Sequence, residues 1–207
     1  LLRELTEKQR GGMMAALMQP FQPLLVKLGG NSELKYVAAA ESAGISRTLI
    51  GETLFSGLYL NELLTRLLPK FDSAPMLFAA YGDAIEVIST CADPELTLRR
   101  FELLLLEELG YQIQWQRDFF ERPIQEAAHY LYQPESGFVP SREEEDSLVI
   151  SGVQLLTLAE WQRSGCAIDE ASQAKLKGIM RLAIDQRLGG RPLKVREAVS
   201  EWRQLRE

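Results

Sequence analysis

The chain has 207 residues, of which 46% are hydrophobic and 25% charged, and a net charge of −6. That is ordinary globular composition, enough for one large domain or for a small one plus a medium one. Two cysteines far apart, Cys91 and Cys166, argue against a disulfide framework and a cysteine zinc site and fit a reducing compartment.

No stretch approaches the roughly 18 apolar residues of a membrane span, and no signal peptide is visible. Taken alone, the acidic total disfavours nucleic-acid binding, because affinity for phosphates comes from clustered Lys and Arg. The total hides a split. From Lys175 to Arg206 nine basic residues face three acids, a net +6 that leaves −12 for the remainder. Such asymmetry guides the choice of partner better than the sum.

In chain order, "LLRELTE" at the start fits a strand or a helix equally well. "PLLVKLGG" (23–30) and "ELKYVAAAE" (33–41) are short apolar runs around Gly-Gly-Asn-Ser and predict two strands with a turn. Two strands make a poor independent sheet, so the β part is incomplete as it stands. "ISRTLIGETLFSGLYLNELLTRLLP" has apolar residues at helical spacing and stops at Pro69. Gly51 and Gly57 make it two helices, or one with a close packing contact. A second helix is expected over 73–90, with Ser73 as cap and Pro75 in the first turn. A third has Asp93 as N-cap and Pro94 at N1, and ends at Gly110 as a left-handed C′ residue.

Residues 111–150 lose helical rhythm. "YQIQWQ" alternates, paired aromatics flank a Pro-Glu-Ser-Gly turn in "HYLYQPESGFVP", and "REEED" (142–146) is a charge run. This predicts a small irregular β-rich insert with an acidic loop. Helices then return. Ser151 and Gln154 have capping-box spacing, "DEASQAKLKGIMRLAIDQRLGG" ends in a glycine pair, and "RPLKVREAVSEWRQLRE" follows. The fold class is therefore α+β: β strands first, then a mainly helical part with a β-rich insert.

Catalytic signatures are missing. No G-x-S-x-G, H-E-x-x-H or GxxxxGK[ST] occurs. The single histidine, His129, sits in the irregular insert and is expected to be structural. Carboxylates occur only within mixed helical charge patterns, so no acid/base pair stands out. The expectation is a binding protein, not an enzyme, with no cofactor and no metal.

The stretch "LTLRRFELLLLEELGY" (96–111) places two arginines beside a leucine run. At about 100° per residue, Leu98, Phe101, Leu105 and Leu109 form the core face. Arg99 projects near Leu103 and Leu106, on an apolar flank, with Glu95 and Glu102 in reach. Arg100 falls between Leu103 and Leu104 and has no acid at three- or four-residue spacing. One reading is snorkelling, with stems over leucines and heads in water. The other is a site for an acidic, apolar-tipped peptide, in which Leu103 and Leu106 form a wall and a guanidinium forks a carboxylate. Helical spacing alone leaves both open.

Four segments, "ALMQPFQPLLVKLGG", "LFSGLYLNELLTRLLP", "LRRFELLLLEELGY" and "LGGRPLKVRE", together resemble the bacterial recombination mediator RecO family, in the right order and across nearly the whole chain. The resemblance implies an N-terminal OB-fold β-barrel (here 1–42, incomplete), then a helical domain (43–207) whose insert (about 111–150) in some members holds a four-cysteine zinc site. It implies binding to single- and double-stranded DNA, strand annealing, and RecA loading with RecR on DNA coated by single-strand binding protein (SSB). It also implies binding of the acidic SSB tail, which ends in Asp-Phe and a free carboxylate. The first arginine of "LRRFEL" takes part, which carries over to Arg99, with Arg100 as neighbour. The setting would be cytoplasmic and nucleoid-associated.

The sequence departs from that pattern twice. The insert lacks the zinc cysteines, so no zinc is expected. An OB-fold needs five strands, and there is room for two or three, so residues are expected to be missing near the start. In the family a basic, flexible stretch precedes "ALMQPF"; only Lys8-Gln9-Arg10-Gly11-Gly12 stands there. On charge and family analogy, phosphate contacts are expected from Arg3, Lys8, Arg10, Lys27 and Lys35 in the β part and from Arg191, Lys194 and Arg196 near the C-terminus. The alternative is a helical adaptor that binds protein tails and not DNA; another is the ligand-sensing bundle of a transcription regulator.

Overall fold

In the computed structural model, residues 16–31, 35–90, 93–142 and 148–205 are described. They divide at the Gly51–Glu52 junction into two compact units. In the first, the two expected strands form an antiparallel pair, β1 (Leu24–Gly29) and β2 (Tyr36–Ser42), in register from Leu24 opposite Ser42 to Gly29 opposite Tyr36. An irregularity between Lys27 and Leu28 shifts the register. Leu25, Leu28 and Tyr36 are more than half exposed, so this pair leaves apolar surface uncovered. "LLRELTE" lies outside the described residues.

The second unit is mainly helical. The first apolar run is one helix, α1 (Glu52–Leu67), which passes through a buried Gly57. Helix α2 (Pro75–Thr90) begins at its proline. That puts Ala74, not Ser73, at the capping position, because proline needs no N–H partner in the first turn. Helix α3 (Glu95–Glu108) starts one residue later than expected: Pro94 is the N-cap, while the Asp93 side chain still accepts from the Glu95 N–H at 3.0 Å. Its end is a Schellman motif. Gly110, at φ 81°, donates to Glu107 O and Tyr111 donates to Leu106 O, the pattern a left-handed C′ glycine permits.

The insert holds β3 (His129–Gln133), β4 (Gly137–Ser141) and β5 (Val149–Ser151), in sheet order β4-β3-β5, all antiparallel. Pro134–Ser136 make the hairpin turn. "YQIQWQ" alternates in burial, with Ile113 and Trp115 buried between exposed glutamines, yet forms no ladder. The one bridge in that region joins Arg117 to Pro123. Helix α4 (Gly152–Ser164) opens with the expected capping box of Ser151 and Gln154. Gly152 is required there: a Cβ would lie 1.9 Å from the Gln125 carbonyl oxygen. Helices α5 (Glu170–Arg187), capped by Asp169, and α6 (Lys194–Gln204) complete the unit.

One core joins insert and helices. Leu103 and Leu106 of α3, Trp115, Tyr130, Tyr132 and Phe138 of the insert, Leu155, Leu158 and Trp161 of α4, and Leu176, Ile179 and Met180 of α5 pack into a single cluster. Helix α6, which buries no residue fully, is held by polar contacts from α1. Its N-cap, Leu193, offers no side-chain acceptor. The Glu62 carboxylate instead accepts from the Lys194 and Val195 N–H groups, both at 2.9 Å, while Arg66 donates to the Pro192 and Arg191 carbonyls. A carboxylate at a helix N-terminus satisfies orphan N–H groups and meets the positive end of the dipole.

Burial raises the Glu62 pKa, but the two N–H donors and Arg66 outweigh it and hold the carboxyl below its ordinary value. A depressed carboxyl stabilises above its unfolded pKa, about 4.3, and that contribution vanishes as pH falls through the folded value. Glu62→Gln should therefore cost about 1 kcal/mol at neutral pH. In chemical denaturation the gap between wild type and variant should close on acidification. Curves that stay parallel into the acid range would contradict this role.

Candidate functional site

The arginine pair at the start of α3 separates sharply. Arg99 is 8% exposed, and its Nη1 lies 2.9 Å from Glu102 Oε2. This is a close charge contact without hydrogen-bond alignment, and Arg99 Nε is buried without a partner among the described residues. Glu102 is fully buried and accepts from the Tyr59 hydroxyl of α1 at 2.6 Å. Burial pushes the Glu102 carboxyl up; Arg99 and then Tyr59 pull it back without cancelling that effect. The Tyr59 hydroxyl is driven up by burial and then by Glu102. Arg196 of α6 lies over the Tyr59 ring, with its centre 5.8 Å from the ring centroid, and hydrogen-bonds Asp185 of α5.

Arg100 is exposed, with its guanidinium 5.1 Å from the centroid of the Trp161 ring. No carboxylate pairs with it among the described residues. A Cβ on Gly165 would lie 2.8 Å from its Nη2, so the bare backbone there leaves room for the guanidinium.

The expected leucine wall is not formed. Leu103 and Leu106 are 5% and 1% exposed and belong to the core. The exposed apolar residue of that helix is Leu104, at 46%. A single-helix projection places Leu103 and Leu106 on a flank, but the insert and α5 cover that flank. Glu95, expected near Arg99, pairs with Lys177 of α5 at 2.9 Å.

The expected phosphate-binding residues are scattered. Arg3, Lys8 and Arg10 lie outside the described residues. Lys27 is exposed on β1, and Lys35 is exposed with its ammonium donating to the Gly30 carbonyl at 2.8 Å. Arg191 and Lys194 are exposed around the start of α6. Arg196 is half-buried and spent on Asp185 and Tyr59, so its head does not stand free beside them. His129 is half-buried in β3. Among the described residues no group of three or more His, Cys, Asp or Glu is placed to hold a metal ion.

Sequence reasoning missed the turn at 117–123. Asp118 Oδ1 accepts from the Phe120 and Arg122 N–H groups, and its Oδ2 meets the Arg122 guanidinium at 2.8–3.0 Å. The signal was present in "RDFFERP": an aspartate that can bond the backbone two residues on, an arginine four residues on, and a proline to close.

The fold is that of an α+β protein whose helical unit holds a buried charge network and exposes arginines, and no helix among the described residues is long or apolar enough to cross a membrane. Comparison with known proteins specifies the family. Residues 51–197 match the family model described as Recombination protein O C terminal. The chain is 44% identical to the DNA repair protein RecO of Pseudomonas paraeruginosa over 188 residues, covering 90% of this chain and 78% of that one. It is 42% identical to that of Stutzerimonas stutzeri, covering 90% and 77%, and 40% identical to that of Methylococcus capsulatus, covering 88% and 74%. The chain belongs to the RecO family of DNA repair proteins.

The two arginines should differ in what their loss does to stability. Arg99→Ala leaves Glu102 buried without its cation and should cost about 3 kcal/mol or more. Arg100→Ala removes an exposed contact with an aromatic face and should cost less than about 1 kcal/mol. Urea denaturation of both variants checks this, and equal losses would contradict it.

Proposed function

We propose that the chain is a recombination mediator that works by binding and not by catalysis, in the cytoplasm and at the nucleoid. It binds single- and double-stranded DNA, anneals complementary strands, docks on the acidic SSB tail, and with RecR promotes RecA loading. The observation that carries the reading is the match to RecO proteins over nine-tenths of the chain. It is supported by exposed cations, Arg100 on α3 and Arg191 and Lys194 near α6, none of which pairs with a carboxylate among the described residues.

In this reading the tail's carboxylate is held by the arginine pair. Arg100 meets it directly, because solvent reaches its guanidinium. Arg99 adds positive potential from below, and Leu104 lies one turn further along. Leu103 and Leu106 fix the helix from beneath. A charge-assisted hydrogen bond is worth roughly 1.5–3 kcal/mol, so Arg100→Ala should weaken binding of an SSB-tail peptide by about that amount. Arg99→Ala should weaken it too, with a loss of stability that Arg100→Ala does not share. Titration of a labelled tail peptide reads this, and unchanged affinity in a folded Arg100→Ala chain would refute the assignment.

DNA attachment falls to Lys27 and Lys35 on the hairpin, to Arg191 and Lys194, and to Arg3, Lys8 and Arg10, while Arg196, held by Asp185, takes no part. Phosphate contacts release counterions, so affinity for duplex and single strand should drop on the order of 10³-fold between about 50 and about 200 mM salt. A flat salt dependence, or no binding at low salt, would sink this reading and favour an adaptor that binds protein tails alone.

A further inference from the structure

Between the Tyr111–Arg117 segment and the β3–β4 hairpin lies a cleft of about 560 Å³. Cavities of a few hundred Å³ suit small, partly apolar ligands. Its floor is core: Ile113, Tyr132 and Phe138 are all at least 92% buried. Its rim presents flat aromatic faces, with Tyr111 46% and Phe119 52% exposed. Burial of Tyr132 lifts its hydroxyl to about 12, so the floor carries no negative charge at neutral pH.

Two arginines face this cleft. Arg187 of α5 lies 3.5 Å over the Tyr111 centroid and donates to the Pro134 carbonyl. Arg117 donates to the Glu121 carbonyl at 2.7 Å. Both are held by backbone oxygens, and neither has a carboxylate within salt-bridge distance among the described residues. A guanidinium has five N–H donors, so each keeps spare donors. Three acids also line the cleft: Asp118 is spent on Arg122 and two backbone N–H groups, Glu135 accepts from Gln186, and Glu121 is exposed, with its backbone carbonyl taken by Arg117. Gln112 and Gln114 line the same cleft, with the Gln114 amide donating to the Gln112 side-chain carbonyl at 3.3 Å, which leaves the Gln112 amide N–H groups and the Gln114 side-chain carbonyl for a base edge.

The walls are built in advance. The Asp118 turn fixes Phe119, whose N–H donates to the Phe138 carbonyl at 2.7 Å. Phe119 and Phe120 meet edge to face at 5.2 Å, and Arg122 covers the Phe120 ring. A binding wall that is already ordered loses little entropy when a ligand arrives.

We propose that this cleft holds one unpaired nucleotide of a single-stranded nucleic acid, its base against Phe119 and Tyr111 and its phosphate on Arg117 and Arg187. A planar base uses flat ring faces and edge amides. An apolar peptide side chain instead needs an enclosed apolar hole, and this rim of glutamines and arginines does not offer one. The proposal rests on the DNA-binding reading and adds a contact on the helical unit that discriminates single strand from duplex, because paired bases cannot reach the rings.

The test is fluorescence anisotropy of the full chain with a labelled single-stranded oligonucleotide and with a duplex of equal length. Phe119→Ala and Arg117→Gln are compared with wild type, and Phe119→Tyr serves as the conservative control. Phe119 is exposed, so its loss should leave thermal unfolding unchanged. Phe119→Ala should bind the single strand about tenfold more weakly, the scale of one lost stack, with Phe119→Tyr restoring it. Duplex binding should stay unchanged in Phe119→Ala. Single-strand affinity unchanged in both Phe119→Ala and Arg117→Gln, while wild type binds, overturns the cleft and leaves the DNA-binding reading standing. An equal loss on duplex overturns it as well. Loss of binding to an acidic, aromatic-ended peptide with oligonucleotide binding intact overturns it in favour of a peptide site. A wild-type chain that binds neither DNA overturns both readings together.

Discussion

The carboxylate of Glu102 has no contact with solvent, and the helical unit is arranged around that fact. A buried carboxylate is tolerated only when partners meet it. Here they come from two directions: the Tyr59 hydroxyl from α1 and the Arg99 guanidinium from one turn back on α3. Through the Tyr59 ring and Arg196 the same polar chain reaches Asp185 on α5. Four helices that could slide on apolar contacts alone are thereby fixed in one register. Buried ion pairs often add little net stability, but removing one partner of this pair would strand the other charge in the core.

The same constraint sorts the basic residues. Some are spent inside the fold: Arg99 on Glu102, Arg66 on the loop before α6, and Arg196 on Asp185 and Tyr59. Others stand outside: Arg100 above Trp161, and Arg191 and Lys194 around the start of α6. Charge counting along the chain treats these alike, so the net +6 of the C-terminal segment overstates what that segment can offer a phosphate.

Local rules were legible. The capping box at Ser151, the Schellman end at Gly110 and the Pro-Glu-Ser-Gly hairpin turn each depend on a few neighbouring residues, and each stands as the sequence implied. The failures came where a distant element decided the outcome. Helical projection put an acid within reach of Arg99 and none within reach of Arg100, which the structure bears out. It could not place the insert and α5 over the flank carrying Leu103 and Leu106, since that depends on contacts between α3 and residues tens of positions away. The alternation in "YQIQWQ" likewise reported burial of Ile113 and Trp115 correctly. Alternation records which side faces the core, and a ladder additionally needs a partner strand, which this segment lacks.

That distinction bears on how so small an insert stays folded. Strands of five, five and three residues bury too little between themselves to be stable alone. What holds them is a row of aromatic contacts, Trp115 to Phe138 at 5.6 Å and Phe138 to Tyr132 at 5.3 Å, running straight into the helical core beside Trp161 and Leu176. The Asp118–Arg122 turn closes one end and the Gly152–Gln125 approach the other. Both anchors bring backbone to backbone at a fixed distance, which is what a sheet too small to set its own geometry requires. The sheet is thus a surface layer of the helical core, and its rim residues, Tyr111, Phe119 and Arg117, inherit the rigidity of that core.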